Sequence, residues 1–283
     1  MAAHETIHEY YLHQHRNIEK YLELCLIHPE AELVHELRLS IKKLRAFHKL
    51  AERLFLNDPD EHIHIKNRVM KLYKAAGRLR DIQVQIHLLA SFEEQTGILY
   101  PEFSEWLFRR EKKQISRFSK KPHQVVPESI AQSTHRKIGN LLALTNEETI
   151  LSSANKVLMD LCLKARELTT GTINNQNLHR IRTLTKRMKY ILNIIHHSCP
   201  EFVFKDISVE VLREIEAAAG QWHDNLVRIE LMGKFMEKMK TDDNSEKFKY
   251  QKLLNACKAE LEISYNETSR IVQNALQSED LEI

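Results

Sequence analysis

Residues 34–50, VHELRLSIKKLRAFHKL, carry two chemistries that only a helix can hold apart. At about 100° per residue, His35, Arg38, Lys42, Arg45 and Lys49 share one sector, and Leu33, Leu37, Ile41, Leu44, Phe47 and Ala51 share the opposing one. The apolar side has to be buried. The cationic side repels itself, because like charges three or four residues apart cost ~0.2–0.5 kcal/mol per pair. A helix shaped for solubility alone would scatter acids among these bases, so the sorting points to a polyanion as partner. For one such helix taken alone, a solvated face that happens to be basic explains the pattern equally well.

The stretch then returns. In residues 178–195, LHRIRTLTKRMKYILNII, the spacing of His35, Arg38, Lys42 and Arg45 recurs as His179, Arg182, Lys186 and Lys189. Lys43 recurs as Arg187, and Leu37, Ile41 and Leu44 have Ile181, Thr185 and Met188 as counterparts. A second element follows each copy: Gly77-Arg78-Leu79-Arg80-Asp81 and Gly220-Gln221-Trp222-His223-Asp224. His35 and His179 are 144 residues apart and Asp81 and Asp224 are 143 apart. Two matched elements at almost one offset indicate a tandem duplication. Its first helical repeat spans 4–168 and its second 174–278, within one domain of 1–283. Two similar helical bundles related by an approximate two-fold are the natural product, and the stripes could then line a shared cleft.

The rest of the chain agrees with an all-α fold. Six glycines, six prolines and 7% aromatics in 283 residues leave little for sheets. Helices are expected at 4–27, 30–56, 61–92, 102–120, 129–145, 147–168, 178–195, 207–241 and 246–277. The breaks between them include Pro29, Asp58-Pro59-Asp60, Pro122 to Pro127, the polar run 169–176, Pro200 and the turn Thr241 to Ser245, and a mobile acidic tail follows 277. Gly77 inside a helix costs about 1 kcal/mol relative to Ala unless close packing compensates, and approach of the stripe helix would compensate. Gly139 also suggests close packing, while Gly220 and Gly233 suggest tight packing or a bend. Trp106 reads as core.

Several function classes are excluded or demoted. No stretch approaches ~20 uninterrupted apolar residues and no leader is evident, so a soluble, cytoplasmic protein is expected. Cys25, Cys162, Cys199 and Cys257 show neither a disulfide framework nor metal spacing and read as free thiols. His4-Glu5-Thr6-Ile7-His8 matches the zinc-protease pattern, but it stands four residues from the chain start without a defined third ligand, so no metal or other cofactor is expected there. A two-metal phosphohydrolase would need clustered carboxylates. Asp81 and Asp224 are instead embedded in basic motifs, where each can orient an arginine or serve structurally, so no catalytic residue is assigned. With a net charge of only +3, positive potential matters only if it is local.

The paired HxxRxxxKxxR/K helices followed by GRLRD and GQWHD resemble the CHAD family, the conserved-histidine alpha-helical domains, over residues 5–278. The resemblance implies two four-helix bundles with internal pseudo-symmetry, and a stand-alone module that binds inorganic polyphosphate without catalysis and associates with polyphosphate granules and their proteins. On that analogy His35, Arg38, Lys42, Arg45, Arg78 and Arg80 form the first-half site, and His179, Arg182, Lys186, Lys189 and His223 the second; the stripe adds Lys49. The second half departs by carrying Gln221 and His223 where the first has Arg78 and Arg80. A phosphate chain is a line of charges without bases to read, so repeated Arg and Lys donors suffice. Nucleic-acid binding is the nearest alternative, disfavoured by the lack of a reader motif or of exposed aromatics among the bases. A helical protein-interaction scaffold is the third reading.

Overall fold

The computed structural model describes residues 2–55, 67–120, 128–239 and 244–277, with no side-chain description for 67–68 and 128–133. Among them every regular element is a helix: α1 (Ala3–Ile27), α2 (Ala31–Leu54), α3 (Asn67–Thr96), α4 (Pro101–Ser119), α5 (Glu128–Ala143), α6 (Glu147–Glu167), α7 (Asn175–Ser198), α8 (Val209–Met236) and α9 (Asn244–Gln277). The expected breaks at Asp58-Pro59-Asp60 and Pro122 to Pro127 lie outside the described residues, as do the 241–243 part of the last turn and the tail from 278.

Local chemistry sets the helix ends. Asn146, Asn174 and Ser208 each accept a hydrogen bond from the backbone N–H three residues on, at 2.8, 2.8 and 3.2 Å, and so start α6, α7 and α8. Gly97 follows α3 at φ +68°, where its N–H closes the helix on the Glu93 carbonyl.

Two hydrophobic cores result. The larger gathers α1, α2, α5, α6 and α7 with the near ends of α3 and α8 and the far end of α9, and its centre includes Leu37, Ile41, Leu44, Phe47, Ile181 and Met188, each at most 2% exposed. The smaller joins Leu89 of α3, Phe103 and Leu107 of α4, Met232 and Phe235 of α8, and Tyr250 and Leu253 of α9. Trp106 packs on Phe103 and Phe235 at its rim, with the Arg110 guanidinium 4.1 Å from its ring centre. Each core therefore draws helices from both halves of the sequence, and α3, α8 and α9 run through both. Where Thr185 takes the place of Ile41, its hydroxyl donates to the Ile181 carbonyl at 3.0 Å, so the exchange leaves no buried polar atom unpaired. All four cysteines are buried free thiols.

This arrangement puts α2 against α7, α3 against α2, α8 against α7, and α3 against α8. The α3–α8 contact is pinned by Gln85, whose Nε2 donates to the Asp224 carbonyl at 2.8 Å. Gly139 serves close packing as expected: a Cβ there would stand 2.7 Å from Cε1 of His8, so the glycine leaves the space that the His8 ring of α1 occupies against α5.

Candidate functional site

With their apolar sides committed to one core, α2 and α7 turn their cationic sides into the same space. The result is a cavity of about 300 Å³ between four helices. α2 contributes His35, Arg38, Lys42 and Arg45, and α7 contributes Arg182, Lys186, Arg187 and Tyr190. Tyr73, Arg80 and Asp81 enter from α3, and Gly220, His223 and Asp224 from α8. The described lining thus holds seven Lys or Arg side chains against two carboxylates.

Arg38 is docked by the first copy of the glycine motif. Its Nη1 donates to the Tyr73 carbonyl at 3.2 Å, and its guanidinium lies 4.7 Å from the centre of the Tyr73 ring. A side chain on a helix covers the turn before it, so residue 77 would mask the carbonyl of residue 73. A Cβ at Gly77 would fall 2.3 Å from Nη1 of Arg38. The glycine is the space the guanidinium occupies. Arg45 shares the same ring at 5.2 Å, and Arg80 ties α3 to the start of α2 by donating to the Ala31 carbonyl at 3.0 Å.

The second copy is assembled differently. Tyr73 stands four residues before Gly77, and the residue four before Gly220 is Glu216. Its carboxylate pairs with Lys186 at 3.5 Å and with Lys189 at closer range. Gly220 has nothing within 4 Å of where its Cβ would be, and the Nε of Arg182 is buried without a hydrogen-bond partner among the described residues.

Burial and mutual repulsion set the charge states. Burial, then Lys186, Arg38 and Arg182, push the Lys42 ammonium down to about 7, and burial with Arg182 pushes Lys186 down to about 8. His223 is pushed down to about 3 by burial and Arg182, and burial also lowers His35 and His179. The three histidines are therefore neutral hydrogen-bonding groups in the free protein. Burial raises Asp81 and Asp224 despite opposition from Arg38 and Arg182 respectively; neither closes a direct ion pair among the described residues. They temper the field of the arginines without clamping them. Burial would push Glu216 up as well, but the Lys189 hydrogen bond and the two ammonium charges outweigh it and leave the carboxyl below its usual range.

Of the residues expected from sequence, His35, Arg38, Lys42, Arg45, Arg80, Arg182, Lys186, His223, Asp81 and Asp224 meet in the cavity. Lys189 stands behind it on Glu216, and His179 is exposed at its edge, its ring 5.7 Å from that of His223. Lys49 pairs with Glu52 at 3.0 Å and Arg78 points to solvent, both away from the lining. Sequence reading missed Tyr73, Tyr190 and Glu216, and saw Arg187 only as the counterpart of Lys43. Extending the repeat four residues upstream of each glycine would have paired Tyr73 with Glu216. Among the described residues no group of three or more His, Cys, Asp or Glu side chains is placed to hold a metal ion, and no helix is long and apolar enough to cross a membrane.

Comparison with known proteins bears on the whole chain. The CHAD domain family model matches residues 9–233. The crystal structure of the CHAD domain from the plant Ricinus communis superposes with a TM-score of 0.72 at 15% identity, covering 98% of this chain and 92% of that one. PptA from Streptomyces chartreusis superposes with a TM-score of 0.61 at 14% identity, covering 98% of this chain and all of the other. At such identities the likeness speaks for the fold. No curated protein matches the chain.

Proposed function

Given that the chain belongs to the CHAD family, whose domains are in general non-catalytic binding modules, we propose that it binds inorganic polyphosphate in the cavity between α2 and α7. The observation that carries this reading is the convergence of Arg38, Lys42 and Arg45 from one helix with Arg182, Lys186 and Arg187 from the other. Holding that many cations together is unfavourable in the free protein: burial first, and then the neighbouring cations, push Lys42 and Lys186 down. A chain of phosphates relieves the repulsion and supplies acceptors for every donor, including the unpartnered Nε of Arg182. Neutral His35 and His223 add hydrogen bonds without adding charge. The matched stripes support an origin by tandem duplication with an approximate two-fold relating the halves, and polyphosphate binding would bring the protein to cytoplasmic polyphosphate granules.

The test is binding of long-chain polyphosphate at physiological salt by the wild-type protein and by a variant with Arg38, Lys42, Arg182 and Lys186 all replaced by Met. Each charge-assisted contact contributes about 1.5–3 kcal/mol, so the variant is expected to lose at least ~1,000-fold in affinity while keeping its helical spectrum. RNA at equal phosphate concentration is expected to compete poorly. Equal binding by the two proteins would remove the cavity as the site, and equal competition by RNA would shift the reading to nucleic acid.

A further inference from the structure

Resting on that reading, the geometry points to Glu216 as a resident counter-anion that withholds Lys186 and Lys189 from the ligand, so that the α2 side of the cavity supplies most of the grip. Three observations carry it. Glu216 engages both lysines at once, one through each carboxylate oxygen. The first-half residue at the matching position, Tyr73, is uncharged and faces Arg38 and Arg45 with its ring, which holds them in place without cancelling them. The third observation is where the cationic lining stops.

Glu216 stands between two cavities. Lys186 lines the cationic one, while Glu216 lines a neighbour of about 570 Å³, and the two cavities share Gly220 and Asp224. In the neighbour Glu216 and Asp224 are joined by Glu260, and its Arg228 is already held by Glu260 at 2.7 Å. A polyanion lying along α2 therefore runs out of unpaired cations on the α8 side, where Glu216 and Glu260 already hold the neighbouring bases. The carboxylate sets both how many cations the ligand can reach and where its path ends. Glu216 is thus a specificity-determining residue: it weakens the site for a dense polyanion and makes the two repeats unequal.

The experiment measures affinity for long-chain polyphosphate across a salt series for wild type, Glu216→Gln, Glu216→Tyr and Tyr73→Glu. Each cation that meets phosphate steepens the slope of log K against log salt by about 0.7 on a single strand, so freeing two lysines is expected to steepen it by roughly 1 to 1.5. Affinity of Glu216→Gln is expected to rise by about tenfold, and replacing Lys189 by Met in that background to remove part of the gain. Tyr73→Glu is expected to do the opposite, flattening the slope and weakening binding. Glu216→Tyr, which copies the first repeat, guards against a fault peculiar to Gln, and thermal unfolding with and without polyphosphate verifies that each variant is folded. Folded Glu216 variants with wild-type affinity and slope would overturn the proposal while leaving the binding site intact. A wild-type protein that does not bind would overturn the function itself.

Discussion

The α2 and α7 stripes each turn three cations into one cavity and quiet them by opposite means. In the α2–α3 half an aromatic ring and a backbone carbonyl receive Arg38, and Lys42, which closes no direct ion pair among the described residues, is pushed down to about 7 by burial and by Lys186, Arg38 and Arg182. In the α7–α8 half Glu216 neutralises Lys186 and Lys189 in place, and Lys186 stays higher, at about 8. One side tolerates its repulsion and the other cancels it. A matched motif is therefore not a matched charge: the residue types correspond, while one residue four positions upstream of the glycine alters how much field they project.

The largest contrast should come from removing the central lysine on each side. Lys42→Met deletes a desolvated cation whose burial and repulsion by Lys186, Arg38 and Arg182 outweigh the attraction of Glu216, so the free protein should gain about 1–2 kcal/mol of stability. Its polyphosphate affinity should fall by ~10-fold or more, as expected for one charge-assisted contact. Lys186→Met removes a cation that is depressed less and that Glu216 partly offsets, so it should gain less stability than Lys42→Met, with a smaller loss of binding. Thermal unfolding and a binding isotherm on each variant decide the matter. Equal gains in stability and equal losses of binding in both would mean that the halves carry their cations alike.

A pH series sharpens the same contrast. Bound phosphate favours the ammonium forms, so Lys42 and Lys186 must take up protons on binding wherever they are neutral in the free protein. Affinity should therefore fall as pH rises, by up to about tenfold per unit per proton, beginning near pH 7 through Lys42 and steepening near pH 8 through Lys186. Stability of the free protein should move the other way. Between those values and the ordinary lysine value near 10.5 the unfolded chain holds the protons and the folded one does not, so these two groups make folding more favourable as pH rises. Lys42→Met should delete the lower step of the affinity profile and leave the upper one.

The sequence made the stripes and the helices legible because both rest on periodicity, which survives without knowledge of neighbours. It also gave a physical reason to expect a partner for Gly77, since glycine inside a helix has a cost that packing must offset. What it hid depends on three dimensions. Nothing in the spacing says that α2 packs on α7, so it could not say that the stripes share one cavity. Nor could it say that each core mixes helices of both halves, because a repeat fixes sequence correspondence and not which copies pack together. Lys49 and Arg78 have the right residue type, but Lys49 stands a turn beyond Arg45 and Arg78 two residues before Arg80, enough to carry both away from the lining. Glu216 was invisible as a functional residue because an acid among bases on a helix is ordinary until its partners are known.

The smallest effect, and the cleanest on the backbone, comes from the paired glycines. Gly77→Ala would put a methyl 2.3 Å from the Arg38 Nη1, and since that atom ends a flexible side chain, the guanidinium should move while α3 stays in place. The new alanine gains up to about 1 kcal/mol of helix propensity and gives up a hydrogen bond of similar size, so stability should barely change. Polyphosphate affinity should drop several-fold, because Arg38 leaves its cradle. Gly220→Ala meets nothing within 4 Å, so it should keep affinity and gain about 0.5–1 kcal/mol, a rise of roughly 1–4 °C in the unfolding midpoint. Equal loss of binding in the two would show that Gly220 also holds space for an arginine when the ligand is bound, with Arg182 moving to it as Arg38 already has to Gly77. The asymmetry between the repeats would then belong to the free protein alone.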